Sequence, residues 1–116
     1  MTIEEYVISA LSEALSVPVS GSVPHQMPQR FVTVELIGSS MRDMIRTARL
    51  SVKSWGESRA DTAALYETVT ASMLALPARP EISSVTLNSG YNNTDLTSDR
   101  PRYDATFDVV HYVGGN

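Results

Sequence analysis

The sequence predicts a single α+β domain, a mainly antiparallel sheet of four to five strands with two helices packed on it. Three observations predict it. Two segments repeat apolar residues at helical spacing, several others alternate apolar with polar residues, and the alternating segments arrive in neighbouring pairs. Paired strands joined by short connections form antiparallel hairpins, whereas a doubly wound parallel sheet needs a helical crossover between successive strands. The 116 residues suit one domain, spanning 1–116, that buries about two-thirds of its unfolded surface around one core.

The first helix is expected over residues 3 to 15. Ile3, Tyr6, Val7, Ala10, Leu11, Ala14 and Leu15 share one face, with Glu4, Ser9, Ser12 and Glu13 opposite. Thr2 with Glu5 three residues on forms a capping box, each side chain satisfying the other's backbone N–H. Val17-Pro18-Val19, Gly21 and Pro24 then stop it. Pro24 and Pro28 make residues 21–29 extended and irregular, an edge strand at most.

Next, Val32, Val34 and Leu36 alternate with Thr33 and Glu35, a strand over 31–37 with one buried face. Gly38-Ser39-Ser40 reads as the turn into a second strand over about 44–55. There Ala48, Leu50 and Val52 face in, while Thr47, Arg49, Ser51 and Lys53 face out. Gly56 ends this hairpin, and Ser58 with Asp61 offers the cap of a helix over 59–76. Leu65, Tyr66, Val69, Met73 and Leu76 form its apolar stripe, Ala60, Ala63, Ala64 and Ala71 permit close packing, and Pro77 and Pro80 end it. A second hairpin follows. Val85, Leu87 and Tyr91 are expected inward against Thr86, Asn88 and Gly90, and Tyr103, Ala105, Phe107 and Val109 inward against Asp104, Thr106 and Asp108. The polar run 92–100 joins the two strands.

Composition narrows function mainly by exclusion. The chain is 42% hydrophobic and 19% charged, an ordinary globular balance, and its formal charge of −4 speaks against a dedicated nucleic-acid binder. Without cysteine there is no disulfide, thiol nucleophile or thiolate metal site. The acidic start Met1-Thr2-Ile3-Glu4-Glu5 is unlike a secretory signal, and no stretch approaches the ~18 apolar residues of a membrane span. Synthesis in the cytoplasm is therefore expected, and the Asn92-Asn93-Thr94 sequon is read as coincidence.

No motif for chemistry emerges. His25 and His111 are the only histidines and lack ligand spacing, so no metal is expected. The serines lack a nucleophile elbow, and the isolated glycines form no phosphate loop. Asp104 and Asp108 share a strand face and could be imagined as an acid pair. Polar residues alternating with apolar ones are also what a solvent-facing or subunit-facing strand surface looks like, and that reading is preferred. Arg42, Arg46, Arg49, Lys53 and Arg59 fall within eighteen positions, a stripe that could follow phosphates, but charge complementarity between the edges of a protein assembly, with Asp104 and Asp108 as candidate partners, fits the same pattern without nucleic acid. Eight of the nine basic residues are arginine, whose planar fork suits interfaces.

One ordered set of segments carries a resemblance. Pro28-Gln29-Arg30-Phe31-Val32-Thr33-Val34 comes first, then Leu50-Ser51-Val52-Lys53-Ser54-Trp55-Gly56 and an Ala-rich helix, then Arg100-Pro101-Arg102-Tyr103-Asp104-Ala105-Thr106. In this order, over most of the chain, they resemble the tail terminator (tail completion) proteins of long-tailed bacteriophages. The resemblance implies a non-enzymatic virion protein without cofactor. It implies a ring, commonly a hexamer, that caps the tail tube, ends its polymerisation and supplies the surface joining tail to head. The implied partners are copies of itself, the tail tube protein and the head-neck connector, with no membrane and no sequence-specific nucleic acid. The implied location is the tail or neck of the virion, after synthesis in the host cytoplasm. Site residues would then be interface residues: Arg49, Lys53, Asp104 and Asp108 on polar strand faces, the loop Gly38 to Arg42, and Asp95, Leu96 and Asp99 in the loop 92–100. That loop carries one large apolar residue, Leu96, and is expected to become ordered on docking. Two alternatives stay open: another neck, head-completion or tail-tube component, and a small cytoplasmic enzyme or ligand-binding protein with a dispersed site.

Overall fold

A computed structural model describes residues 1–113. The fold is α+β, as expected. Helix α1 (Ile3–Ala14) is followed by strands β1 (Val19–Ser20), β2 (Phe31–Arg42) and β3 (Ile45–Trp55). Helix α2 (Arg59–Leu74), a 3-10 turn (Leu76–Ala78), β4 (Ile82–Asn92) and β5 (Arg102–His111) complete the chain. The sheet order is β1-β2-β3-β5-β4, antiparallel throughout except for the β1–β2 pair.

Local chemistry places the helices. Thr2 Oγ1 accepts the Glu5 N–H at 3.1 Å, and Glu5 Oε1 accepts the Thr2 N–H at 2.9 Å, completing the capping box at α1. This bond from Thr2 also holds the Glu5 carboxyl below its usual range. Ser58 Oγ caps α2 by accepting the Asp61 N–H at 3.1 Å. Val7 and Leu11 of α1 and Leu65, Val69 and Met73 of α2 meet Val32, Val34, Leu50, Val52, Phe107 and Val109 in one core. Both helices therefore cover the same face of the sheet. Each large side chain buried there stabilises by about 1.5–3 kcal/mol before entropy is counted. Among the described residues no helix is long and apolar enough to cross a membrane.

Three details depart from the sequence reading. The edge strand lies earlier than residues 21–29, at Val19–Ser20, and pairs parallel with Val32 and Thr33. The β2–β3 hairpin does not turn at Gly38-Ser39-Ser40. The chain absorbs an extra residue in a bulge between Leu36 and Gly38 and runs on to a tight turn at Asp43 and Met44, with φ of 53° and 69°. In β4 a bulge between Leu87 and Ser89 reverses the faces beyond it, so Tyr91 pairs with Asp104 on the outer face and Gly90 with Ala105 on the helix side. A Cβ at Gly90 would collide with the hydroxyl end of Tyr66, so any larger residue there must push that ring away from its packing on Tyr103. Gly56 meets a similar limit, since a Cβ would strike Thr62 Oγ1, which donates to the Ser58 carbonyl at 2.6 Å.

Candidate interaction surface

The face of the sheet opposite the helices holds most of the charged strand residues singled out from the sequence, while Arg46, in register with His111 and in phase with Ala48, falls on the helix-bearing side. Alternation places Glu35, Arg49, Ser51, Lys53, Asp104, Thr106 and Asp108 there, because their neighbours enter the core. Register then pairs Arg49 with Asp108 and Lys53 with Asp104 across β3 and β5. Arg49 Nε donates to Asp108 Oδ1 at 2.9 Å and Nη2 to Oδ2 at 3.2 Å, a two-pronged contact. This bond lowers the Asp108 pKa and raises that of Arg49, with burial opposing at Asp108 and a contact from Asn88 assisting. Lys53 Nζ donates to Ser51 Oγ at 3.0 Å and lies 3.9 Å from Asp104 Oδ2, while Ser51 Oγ donates to Asp104 Oδ1 at 3.0 Å. The four charged residues thus form a ladder whose first partners lie within the chain.

At one end of this face sits a second, smaller apolar cluster separate from the main core. Phe31 and Trp55, at 0% and 3% exposure, stack with centroids 5.1 Å apart, and Trp55 Nε1 donates to Thr33 Oγ1 at 3.1 Å. Arginines roof it: Arg102 lies 5.0 Å over Trp55 and Arg100 lies 5.8 Å over Phe31. Arg100 also donates to the carbonyls of Gly56 at 2.8 Å, Pro28 at 2.8 Å and Gln29 at 2.9 Å. One guanidinium thereby ties together the three segments named in the resemblance. Trp55 was visible as a strand-closing aromatic, but the role of Arg100 left no local signal, since its partners are backbone carbonyls distant in sequence.

The loop 92–100 is held by its own bonds. The Asn93 N–H donates to the Arg102 carbonyl at 2.7 Å and the Asp95 N–H to the Arg100 carbonyl at 3.0 Å. Asp95 Oδ2 accepts both the N–H and the hydroxyl of Ser98, and the Ser98 hydroxyl contributes most to holding the Asp95 carboxyl below its usual range. Asp99 adopts φ of 60°, a left-handed conformation that aspartate tolerates. Leu96 is 93% exposed at the tip. The loop and the segment 21–27 form the two banks of a cleft of about 490 Å³, with Val23 and Met27 on one side, Asp95 and Thr97 on the other, and Lys53 and Trp55 on its floor.

The opposite end of the molecule carries the segment 38–42, expected as an interface loop, but as part of an extended hairpin whose apolar residues the sequence reading did not single out. Ile37, Met41, Met44 and Ile45 of the extended hairpin are 51%, 57%, 86% and 51% exposed. The signal available was Asp43, a residue that accepts positive φ, but Gly38-Ser39-Ser40 competed with it as a turn. Nearby, His111 is buried. Its Nδ1 accepts the Val113 N–H at 3.1 Å, and burial pushes its pKa down, with Arg46 adding to the shift. His25 is exposed in the loop before β2. Among the described residues no group of three or more His, Cys, Asp or Glu is placed to hold a metal ion.

The class these features define is a small α+β domain with a polar sheet face, an arginine-roofed aromatic pair and an exposed apolar loop tip. Among solved structures, the chain is similar to one from the virion of a native gene transfer agent particle, with a TM-score of 0.60 at 12% identity. The match covers 94% of this chain and 86% of that one. At such identity the likeness is one of fold. No protein-family profile matches the sequence, and no curated protein is similar to it by sequence.

Proposed function

We propose that this chain is a structural protein of a phage-like virion that assembles as a ring, caps the tail tube, ends its polymerisation and offers the surface to which the head is joined. The observation that carries the reading is the fold shared, over nearly the full length of both chains, with a component of a gene transfer agent virion. The ordered segments of the tail-terminator resemblance add to it. Phe31, Trp55 and Arg100, one from each of those segments, converge on one cluster in space. Its partners are copies of itself, commonly six in that family, with the tail tube protein and the head-neck connector. The role requires no cofactor, membrane or sequence-specific nucleic acid.

The interface residues are then Asp95, Leu96 and Asp99 on the loop and Arg49, Lys53, Asp104 and Asp108 on the polar face. Because the last four already pair with one another, they contribute an ordered charge pattern rather than free charges. The test adds the purified chain to polymerising tail tubes. Tubes should stop lengthening and carry extra density at one end, and light scattering should find a discrete oligomer, at least with tube present. Unaffected tube growth with bare ends overturns the capping role. An incorporated but non-capping subunit favours a tail-tube or neck component.

A further inference from the structure

The sheet leaves two open edges: that of β4 is unguarded, and that of β2 is guarded only in part, by Glu35, Arg42 and the bulge after Leu36. At one, β4 pairs only with β5, and from Ile82 to Asn92 it contains no charged residue and no proline. At the other, β1 covers β2 only at Val32 and Thr33, so on the side away from β3 Val34 to Arg42 has no strand beside it among the described residues. One of its amides, the Leu36 N–H, is taken up by Glu4 Oε2 at 2.8 Å. Rows of unpaired N–H and C=O groups are templates for another strand, and proteins that remain monomeric blunt them with lysine, proline or inward charge. The two bulges of β4 twist its edge but add no charge.

The geometry points to a second copy of this chain as the occupant. Directions alternate along β2-β3-β5-β4, so β4 runs opposite to β2. A copy related by rotation about an axis along the strands brings its β2 beside β4 in the antiparallel sense of the neighbouring pairs. Direction and exposed apolar residues, rather than charge, match the two edges, since the Glu81 carboxylate beside β4 already accepts the Tyr6 hydroxyl at 2.8 Å. Leu36 and Met41, 38% and 57% exposed, lie on the helix-bearing face and would be covered by the neighbour's α2, where Leu74 is 48% exposed.

We propose that copies join head to tail, β4 of one pairing antiparallel with the Val34–Arg42 edge of β2 in the next, so that the sheet continues round the ring. This rests on the ring reading above. Such a heterologous contact closes if the rotation permits, whereas β4 pairing with β4 of another copy would stop at a dimer.

The absence of cysteine makes the test direct. Ser40→Cys on β2 and Ser84→Cys or Thr86→Cys on β4 are exposed positions on the outer face, and in-chain register puts Ser40 and Ser84 in one row. Adjacent strands bring Cα atoms within the range of about 4.4–6.8 Å that a disulfide spans. The single-cysteine proteins are mixed, assembled with tail tube and oxidised. Crosslinks between the β2 and β4 variants, with slowed amide exchange in β4 on assembly, are expected. A ring of unchanged mass without such crosslinks, or with β4 crosslinked only to β4, overturns the edge pairing while sparing the ring. A monomer under every condition overturns both.

Discussion

Arg100 shows how one side chain organises what separate sequence segments only suggest. Its guanidinium donates to three carbonyls, on Gly56, Pro28 and Gln29, while its plane lies over Phe31. Backbone adds to the knot, because the Gly56 N–H donates to the Pro101 carbonyl at 3.2 Å. Lysine cannot reproduce this: a point charge on a flexible stem lacks the planar fork that reaches several acceptors at once. Arg100→Ala is therefore expected to destabilise the chain by about 2 kcal/mol, the range for charge-assisted bonds lost at a partly exposed site. Arg100→Lys should recover only part of it. Denaturant unfolding measures both, and a full rescue by lysine would mean that charge alone, rather than the fork, holds the segments together.

At the scale of elements, helices and strand faces were legible because each rests on a local rule. Thr2 and Ser58 cap where their side chains reach back to the chain, and Val32, Val34, Leu50 and Val52 enter the core because alternation is strict in a half-buried strand. The reading failed where one extra residue changes the parity. Beyond the bulge after Leu87, Tyr91 turns outward and Gly90 inward, and a bulge leaves no residue signature that alternation can detect. The hairpin tip was misplaced for a related reason, since strand length there is set by pairing across β2 and β3 rather than by composition. The charge ladder was legible as a set of outward residues but not as pairs. Which carboxylate meets which cation depends on register between strands distant in sequence.

The Arg49–Asp108 pair also decides how a charge reversal should be read. Arg49→Glu places two carboxylates opposite each other on adjacent strands, so loss of assembly in that variant would mix an in-chain defect with an interface defect. The exchange Arg49→Glu with Asp108→Arg restores the in-chain pair while inverting the field seen by a neighbour. Thermal melting of the double variant is expected to return close to that of the parent, within the roughly 0–1 kcal/mol that an exposed pair contributes. If these residues also touch a neighbouring subunit or the tube, assembly should remain weakened in the double variant and the defect should shrink at high salt. Full recovery of assembly together with stability would confine the pair to a role inside the chain.

The whole molecule measures 43 × 24 × 24 Å, and its apolar residues outside the core gather toward the two ends of the sheet. One end presents the hairpin tip with Met44; the other presents Leu96 on a loop that stands beside the Phe31–Trp55 cluster. The loop combines two properties that suit a docking tip. Its backbone is bonded at Asn93 and Asp95, and its tip carries a large apolar side chain in full contact with water. A preorganised apolar tip loses little conformational freedom when it enters a pocket, so most of the burial it gains appears as affinity. Leu96→Ala is accordingly expected to leave stability within about 0.5 kcal/mol of the parent, because the side chain has no fold contact to lose. Under the proposed function it should weaken docking on the tail tube or connector by at least about tenfold, the scale of one buried leucine contact. Amide exchange across residues 93–100 separates the possible outcomes. Protection that is already present in the free chain and rises on docking fits a preformed anchor. Fast exchange in the free chain, slowed only in the assembled tail, fits a segment that orders on binding. Equal exchange in both states, with docking unaffected by the alanine, makes the loop a connector and moves the docking surface to the hairpin end.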